Sequence, residues 1–225
     1  MDMAHDRPMD INGLAPLMAL TAPGLQAVNA CLETHLQSTV PLIPLLGGHL
    51  MQAGGKRLRP MLLLASAGLC GYDGPRHIAL AASVECIHTA TLLHDDVVDE
   101  SGQRRGRDTA NQLWGNKASV LVGDYLFSRA FTLMVECGNM DILAVLARAS
   151  NVIAEGEVLQ LASQGDITTT RERYMAVIRA KTAALFAAAT RIGAMLAGAP
   201  PEKVDAMERF GHNTGSAFQI ADDVL

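Results

Sequence analysis

The most constraining feature of this sequence is a long apolar segment that ends in acidic side chains. From about His77 to Glu100 the residues follow a helical pattern that is unusually apolar. A helix that is apolar around most of its circumference needs packing partners on every side. The segment therefore predicts a buried central helix, around which the rest of the chain is arranged.

The remainder of the sequence also favours helices, and we expect an all-α fold. Ala, Leu and Met are abundant, aromatic residues make up only 4% of the chain, and β-branched clusters are sparse. Gly and Pro residues separate the other helical patterns. We expect these helices at about 24–38, 41–51, 60–69, 116–137, 141–164, 171–180, 183–197 and from 200 onward. We find no strand–helix alternation and no hairpin signal, so the pattern predicts one helical bundle.

Residues 1–22 show little periodicity, and we expect them to form a flexible leader before a single domain that covers 23–225. The leader contains no continuous apolar run, so it does not resemble a secretory signal. No charge-free run of about 18 apolar residues occurs, which predicts no membrane span. Four scattered cysteines without a CxxC pair indicate reduced thiols in a cytoplasmic protein. The net charge of −5 argues against nucleic acid as a partner.

Three aspartates in a DDxxD spacing, Asp95, Asp96 and Asp99, lie at the end of the central helix. Asp95 and Asp99 are one helical turn apart, and Asp96 lies beside them. Carboxylates this close repel one another, and a Mg²⁺ ion bound together with substrate phosphates would relieve the repulsion. An acidic, solvated helix end is the other interpretation, and the short pattern alone does not exclude it.

Two basic clusters flank the acidic motif in the sequence. Lys56, Arg57 and Arg59 follow a Gly-Gly pair, while Arg104 and Arg105 follow the aspartates after a short loop. Arg and Lys are natural binders of diphosphate oxygens. Either cluster alone could be a solvated basic turn. Together with the aspartates, they suggest two anion sites, one bridged by metal and one held by cations alone.

Two further features could belong to the same site. His88 lies on the face of the central helix that carries the first aspartates, where it is either a core histidine or a functional group. Asp222 and Asp223 form a second acidic pair that follows Gln219 on the last helix. Carboxylates on facing helices can build a metal site inside a bundle. The alternative for this pair is a surface position at a helix end.

In their order along the chain, these motifs resemble the trans-isoprenyl diphosphate synthase family, the polyprenyl synthetases, over about residues 24–225. The segments that carry the resemblance are 54–60, His88, 93–99, 104–106, 115–117, 122–126, 181–182 and 218–223. The resemblance implies an all-α isoprenoid synthase helical bundle, usually a homodimer, with Mg²⁺ as cofactor. It implies a prenyltransferase that condenses isopentenyl diphosphate with an allylic diphosphate after the latter ionises.

The resemblance also implies roles for individual side chains. The expected Mg²⁺ ligands are Asp95 and Asp99 of the first motif, supported by Asp96, and Asp222 and Asp223 of the second. The positions that match the family's contacts to isopentenyl diphosphate are Lys56, Arg59, His88 and Arg105, with Arg57 beside them. The positions that match contacts to the allylic diphosphate are Arg104, Lys181, Thr182 and Gln219. The residues expected to carry the ionisation are Asp95, Asp96, Asp99, Arg104 and Lys181.

Product length is also suggested by the resemblance. Short-chain members of the family place bulky aromatic residues four or five positions before the first aspartate, where this chain has Thr91 and Ala90. The sequence is more similar to long-chain bacterial enzymes that make octaprenyl- to decaprenyl-type diphosphates for quinone side chains. We therefore expect a deep pocket and a long-chain product, with Ala90 and Thr91 as the product-length positions.

The second acidic motif of the family normally reads DDxxD and is followed by more helices, whereas this sequence ends at Leu225. We expect a bundle that is incomplete at the C-terminus and weakly active or inactive alone. Two alternatives to an active prenyltransferase are considered. A non-catalytic subunit or fragment that associates with an active homologue is disfavoured by the intact first motif. A terpene cyclase is disfavoured by the two basic clusters, since a cyclase has no second diphosphate to bind.

Overall fold

The structure, a computed structural model, describes residues 13–52, 55–104, 106–163, 165 and 168–224. Most of these residues lie in helices, which confirms the prediction of an all-α bundle. The helices are α1 Ala15–His35, α2 Leu42–Gln52, α3 Leu58–Leu69, α4 Arg76–Val98, α5 Ala110–Trp114, α6 Asn116–Glu136, α7 Met140–Leu161, α8 Arg171–Ile178, α9 Ala184–Leu196 and α10 Pro201–Val224. A π-helical segment, Arg179–Ala183, joins α8 to α9.

Helix α4 lies at the centre of the bundle, as its apolar pattern predicts. Its side chains from Leu80 to Ile87 are buried, and the core continues along it to Leu93. Helix α6 packs against it so closely that serine hydroxyls reach backbone carbonyls across the contact. Ser119 Oγ donates to the carbonyl of Leu93 at 3.0 Å. Buried hydroxyls of this kind must find a partner, and here each one also ties two helices together.

Small residues let α3 and α9 approach each other on the other side of the core. A Cβ atom at Gly193 would lie 2.6 Å from the carbonyl oxygen of Leu63, closer than any real contact. Beside this point, Ser66 Oγ donates to the carbonyl of Thr190 at 2.6 Å. The alanine-rich sequence of α9 therefore serves close helix packing, since bulky side chains would separate the two backbones.

The first helix begins earlier than its sequence pattern indicates. We predict a start at Gly24, but α1 begins at Ala15 and so extends into the segment expected to be a leader. Pro16 lies in the first turn, where its missing N–H would have no helical partner in any case. Residues 1–12 lie outside the described part of the chain, and the domain boundary at residue 23 stays a prediction.

A short hairpin follows α4 where the sequence predicts only a basic loop. Strand β1, Gln103–Arg104, pairs antiparallel with β2, Arg107–Asp108. Gly106 adopts a positive φ of 74°, which a tight turn requires and which glycine tolerates without strain. The expectation of no hairpin is therefore wrong here, because each strand has only two residues and carries no apolar alternation.

Helix α6 differs from the expectation that no helix is apolar enough to span a membrane. Within the described ranges it is the one helix long and apolar enough, by length and composition alone, to cross a membrane. The sequence predicts no such span, because no charge-free run of about 18 apolar residues occurs. In the fold, Val122 and Leu126 on one face of α6 are buried against the core, whereas Leu121 and Val135 are exposed. A helix packed against the core of a bundle can be equally long and apolar. The length and composition of α6 are therefore weak evidence for a membrane span.

Candidate active site

Two adjacent cavities open around the acidic end of α4. The basic cavity, about 600 Å³, lies between the start of α3, α4, the hairpin and α10. The acidic cavity, about 890 Å³, lies between α4, α7, α8, the π-helical segment and α10. Both volumes suit a small ligand. The residues that line both cavities and so form their shared wall are Arg59, His88, Leu92, Arg104, Phe218 and Asp222.

Asp95 and Asp99 of the first acidic motif both line the acidic cavity. Asp99 caps the end of α4 and is exposed, whereas the side chain of Asp95 is only 18% exposed. Burial, followed by the negative charge of Glu157, raises the pKa of Asp95 to about 7, although Lys181 opposes the shift. A charged Asp95 is therefore disfavoured near neutral pH unless a cation compensates it.

Asp96 lies on another face of the helix and is almost fully buried, at 2% exposure. Its Oδ1 accepts two hydrogen bonds from Arg104, from Nη2 at 2.8 Å and from Nε at 3.0 Å. Its backbone carbonyl accepts a third from Asn111 Nδ2 at 3.1 Å. Asp96 therefore holds the hairpin, and the side chain of Arg104, against the end of α4. It lines the basic cavity, whereas Asp95 and Asp99 line the acidic one.

Lys181 reaches the acidic cavity from the π-helical segment. Its Nζ lies 2.6 Å from Glu157 Oε2 and 4.0 Å from Asp95 Oδ2. Helix α7 can approach this segment because a Cβ atom at Gly156 would lie only 2.6 Å from the Cβ of Ala180. Single π-helical turns inside α-helices are frequent at functional sites. The sequence predicts Lys181 here but not Glu157, which belongs to no recognisable motif.

A chain of hydrogen bonds crosses the acidic cavity from α10 to α8. Thr182 Oγ1 donates to Gln219 Oε1 at 2.7 Å, and Gln219 Nε2 donates to Asp223 Oδ1 at 2.8 Å. The hydroxyl of Tyr174 donates to the other oxygen, Asp223 Oδ2, at 2.5 Å. The predicted residues Thr182, Gln219 and Asp223 are thus brought together. Tyr174 is not predicted from the sequence, because no pattern distinguishes it from an ordinary surface tyrosine.

Two glycines bring α10 against the π-helical segment and the start of α9. A Cβ atom at Gly211 would lie 2.5 Å from the carbonyl oxygen of Phe186, and one at Gly215 would lie 2.7 Å from the Cα of Ala183. These glycines precede Gln219 at intervals of four residues, so all three share one helix face. Their close packing sets the depth at which Gln219 meets Thr182.

The basic cavity receives the first cationic cluster. Lys56 is exposed at its mouth, and Arg57 adopts a positive φ of 48° just before α3. Arg57 forms an ion pair with the buried carboxylate of Glu85 on α4, a partner that the sequence does not predict. The guanidinium of Arg59 lies 4.5 Å from the ring centroid of Phe186, a cation–π contact. Arg105 lies outside the described residues, and its predicted role stays a prediction.

The two predicted product-length positions lie in different surroundings. Thr91 lines the acidic cavity, and its hydroxyl donates to the carbonyl of His88 at 2.7 Å. Ala90 is fully buried within the hydrophobic core and lines neither cavity. A larger side chain at the two positions would therefore meet different neighbours.

The residues present suit a hard divalent cation that also binds a ligand. In the part of the chain that the structure describes, no three His, Cys, Asp or Glu side chains form a ready-made metal cluster. Four aspartates, Asp95, Asp99, Asp222 and Asp223, nevertheless line the same acidic cavity. Mg²⁺ usually takes one or two carboxylates and completes its shell with phosphate oxygens and water. This donor set fits such an ion.

Comparison with known proteins gives a consistent picture. Residues 41–225 match the sequence profile of the family described as polyprenyl synthetase. The chain is 50% identical over 212 residues to octaprenyl diphosphate synthase of Escherichia coli strain K12, an alignment that covers 94% of this chain and 66% of that protein. The chain thus spans just under two thirds of that relative's length.

Two solved structures share the fold closely. The crystal structure of a decaprenyl diphosphate synthase from Rhodobacter capsulatus has 58% sequence identity and a TM-score of 0.91, covering 93% of this chain and 65% of that one. A polyprenyl synthase from Caulobacter crescentus CB15, complexed with calcium and isoprenyl diphosphate, has 51% identity and a TM-score of 0.93, covering 96% of this chain and 66% of that one. The chain therefore belongs to the polyprenyl synthetase family.

Proposed function

We propose that this protein is a prenyltransferase that condenses isopentenyl diphosphate with an allylic diphosphate and so builds a long-chain trans-polyprenyl diphosphate. One observation carries the proposal. A basic cavity and an acidic cavity lie side by side and share a wall, as expected for two diphosphate substrates that must react with each other. The names of the relatives support the same reaction class.

The basic cavity suits isopentenyl diphosphate. Lys56 at its mouth and Arg59 and His88 in its shared wall supply donors for diphosphate oxygens. The pairing of Arg57 with Glu85 anchors the turn that carries these cations. No step at this substrate requires its diphosphate to leave, so cationic side chains are sufficient to hold it.

The acidic cavity suits the allylic diphosphate together with Mg²⁺. Bound between the two aspartate pairs, Mg²⁺ would supply the positive charge that stabilises a departing diphosphate. Lys181 and Arg104 line the same cavity and add positive charge from the protein. The calcium and isoprenyl diphosphate in the Caulobacter crescentus relative support this combination of cation and ligand.

The arrangement accounts for the chemistry without a side-chain nucleophile. The allylic C–O bond breaks, and its electron pair leaves with the diphosphate. The double bond of isopentenyl diphosphate then attacks the allylic cation across the shared wall, and the new cation loses a proton to an adjacent anion, for which we propose the released diphosphate. Leu92 and Phe218 in the wall exclude the water that would quench the cation.

We further propose a long-chain product for quinone side chains. Thr91 leaves room in the acidic cavity where an aromatic residue would close it. The octaprenyl and decaprenyl names of the relatives support this length class.

We also propose that the protein works in the cytoplasm as a homodimer. The exposed face of α6 carries large apolar side chains, with Leu121 67% and Val135 63% exposed. At about 100° per residue, Val135 lies between Leu121 and Phe131 around the helix, so the face forms one apolar stripe that a second copy could cover. The free thiols of the four cysteines support a reducing compartment.

Product analysis tests the proposal. A purified full-length version of the protein is incubated with farnesyl diphosphate, labelled isopentenyl diphosphate and Mg²⁺, and the products are separated by chain length. We expect label in prenyl diphosphates much longer than the primer. A labelled hydrocarbon would indicate a cyclase, and unextended primer would contradict a long-chain prenyltransferase. Asp99→Asn serves as the variant expected to lose elongation.

A further inference from the structure

The hydroxyl of Tyr174 on α8 contacts the second acidic pair on α10. It donates to Asp223 Oδ2 at 2.5 Å, while Gln219 Nε2 donates to Asp223 Oδ1 at 2.8 Å. Each oxygen of this carboxylate therefore has one donor from the protein. The two donors approach from different elements, so together they fix the rotation of the carboxylate about its Cβ–Cγ bond.

This pattern leaves Asp223 able to bind a cation. An ionised carboxylate offers about four lone-pair positions, and the two protein donors use two of them. Asp223 is exposed and lines the acidic cavity, so the remaining lone pairs are accessible from the cavity. Carboxylates that bind metals are commonly held by such outer hydrogen bonds.

We propose that Tyr174 is a positioning residue for Asp223, which it orients so that Mg²⁺ bound with an allylic diphosphate meets a preset ligand. The inference rests on the proposed function, because it assumes that the acidic cavity takes Mg²⁺ and a diphosphate. It assigns a role to a residue outside both aspartate motifs.

The hydrogen-bond chain extends the effect of Tyr174 beyond one oxygen. Asp223 holds Gln219, whose Oε1 accepts from Thr182 Oγ1 at 2.7 Å. Thr182 directly follows Lys181 in the π-helical segment. Loss of the Tyr174 hydroxyl would thus loosen Asp223, which we propose as a metal ligand. It would also loosen the Gln219 amide, which contacts both Asp223 and Thr182.

The hydroxyl can be removed without disturbing the core, because Tyr174 is 37% exposed. Tyr174→Phe is the test variant. Tyr72→Phe is the matched control, since its hydroxyl accepts a hydrogen bond from the backbone N–H of Arg76 at 3.3 Å, and Tyr72 lines neither the basic nor the acidic cavity. Asp223→Asn shows the effect of changing the proposed metal-binding carboxylate itself.

The experiment measures the Mg²⁺ concentration needed to bind farnesyl thiolodiphosphate, an allylic analogue that resists ionisation, by titration calorimetry. We expect Tyr174→Phe to raise that concentration about tenfold, as is usual for loss of an outer partner of a metal ligand. Asp223→Asn should raise it at least as much, and Tyr72→Phe should leave it unchanged. Binding of isopentenyl diphosphate and the melting temperature should be the same in Tyr174→Phe as in the wild type, which separates positioning from a general structural effect.

Two results would overturn the inference, and they differ in what else they overturn. If Tyr174→Phe binds the analogue at wild-type Mg²⁺ concentrations while Asp223→Asn does not, Tyr174 has no positioning role and the proposed function stands. If the wild type itself shows no Mg²⁺-dependent binding of the analogue, the proposed function fails together with the inference.

Discussion

The ammonium group of Lys181 lies 2.6 Å from the carboxylate of Glu157. The same ammonium is 4.0 Å from Asp95, so one cation lies between two acids from different helices. Glu157 therefore competes with Asp95 for the Lys181 ammonium and at the same time adds a like charge beside Asp95. This three-residue contact links α4, α7 and the π-helical segment at the acidic cavity.

Glu157→Gln should lower the pKa of Asp95. The substitution removes a neighbouring negative charge and leaves Lys181 with Asp95 as its acidic neighbour, and both changes favour the charged carboxylate. The pKa should fall from about 7 but stay above its ordinary value, because burial is the larger cause of the shift. Carboxyl-carbon NMR of the metal-free protein measures it. An unchanged titration midpoint would show that Glu157 and Asp95 do not interact.

Asp95→Asn should stabilise the metal-free protein, and the gain should grow with pH. The pKa of Asp95 is raised to about 7 from 3.8, so folding favours its protonated form. The folded wild type therefore loses stability as the pH rises from about 4 through 7, and asparagine avoids this loss. We expect a gain on the order of 2–4 kcal/mol at pH 8 and a small one at pH 4.

Urea denaturation in the presence of a chelator checks this pH dependence. Asp73→Asn is the control, since its carboxylate is exposed in the turn before α4. A gain in Asp95→Asn that is equal at both pH values would rule out ionisation of Asp95 as its cause.

Gly215→Ala should destabilise the bundle and displace the side chains that α10 contributes to the acidic cavity. The new Cβ would lie 2.7 Å from the Cα of Ala183, so α10 must move away from the π-helical segment. We expect a loss of about 1–3 kcal/mol in unfolding free energy. Gly48→Ala in α2 is the control, because no atom lies within 4 Å of its added Cβ, and it should be neutral or stabilising. Equal unfolding midpoints for the two variants would contradict the close packing.

Thr91→Phe and Ala90→Phe should have different effects. Thr91 lines the acidic cavity, so a phenyl ring there should shorten the product while the protein stays folded. Ala90 is fully buried in the core, and a phenyl ring there should cost about 1–3 kcal/mol of stability. Product chain length and melting temperature, measured for each single variant, separate the two effects. Shorter products from a stable Ala90→Phe variant would show that the growing chain reaches that position.

The sequence predicts the positions that depend on motif and periodicity. The central helix and the all-α class agree with the structure, and they are readable because helix periodicity fixes which side chains share a face. Thr182 is named only by the family resemblance, and the structure places it beside Gln219, which contacts Asp223.

The remaining features depend on contacts between distant segments. Nothing near Glu157, Glu85 or Tyr174 in the sequence marks them as partners of Lys181, Arg57 and Asp223. Their roles arise from packing between helices separated by many residues. The early start of α1 at Ala15 is unreadable for a different reason, since Pro16 and Pro23 interrupt the pattern that marks a helix.

The central claim is that the protein has one diphosphate site that needs metal and one that does not. Titration calorimetry with isopentenyl diphosphate and with farnesyl thiolodiphosphate, each in Mg²⁺ and in chelator, tests it most directly. The account predicts that chelation abolishes binding of the allylic analogue but leaves binding of isopentenyl diphosphate within about twofold, because side-chain cations hold the latter. Equal loss of both ligands in chelator, or binding of both without Mg²⁺, would contradict it.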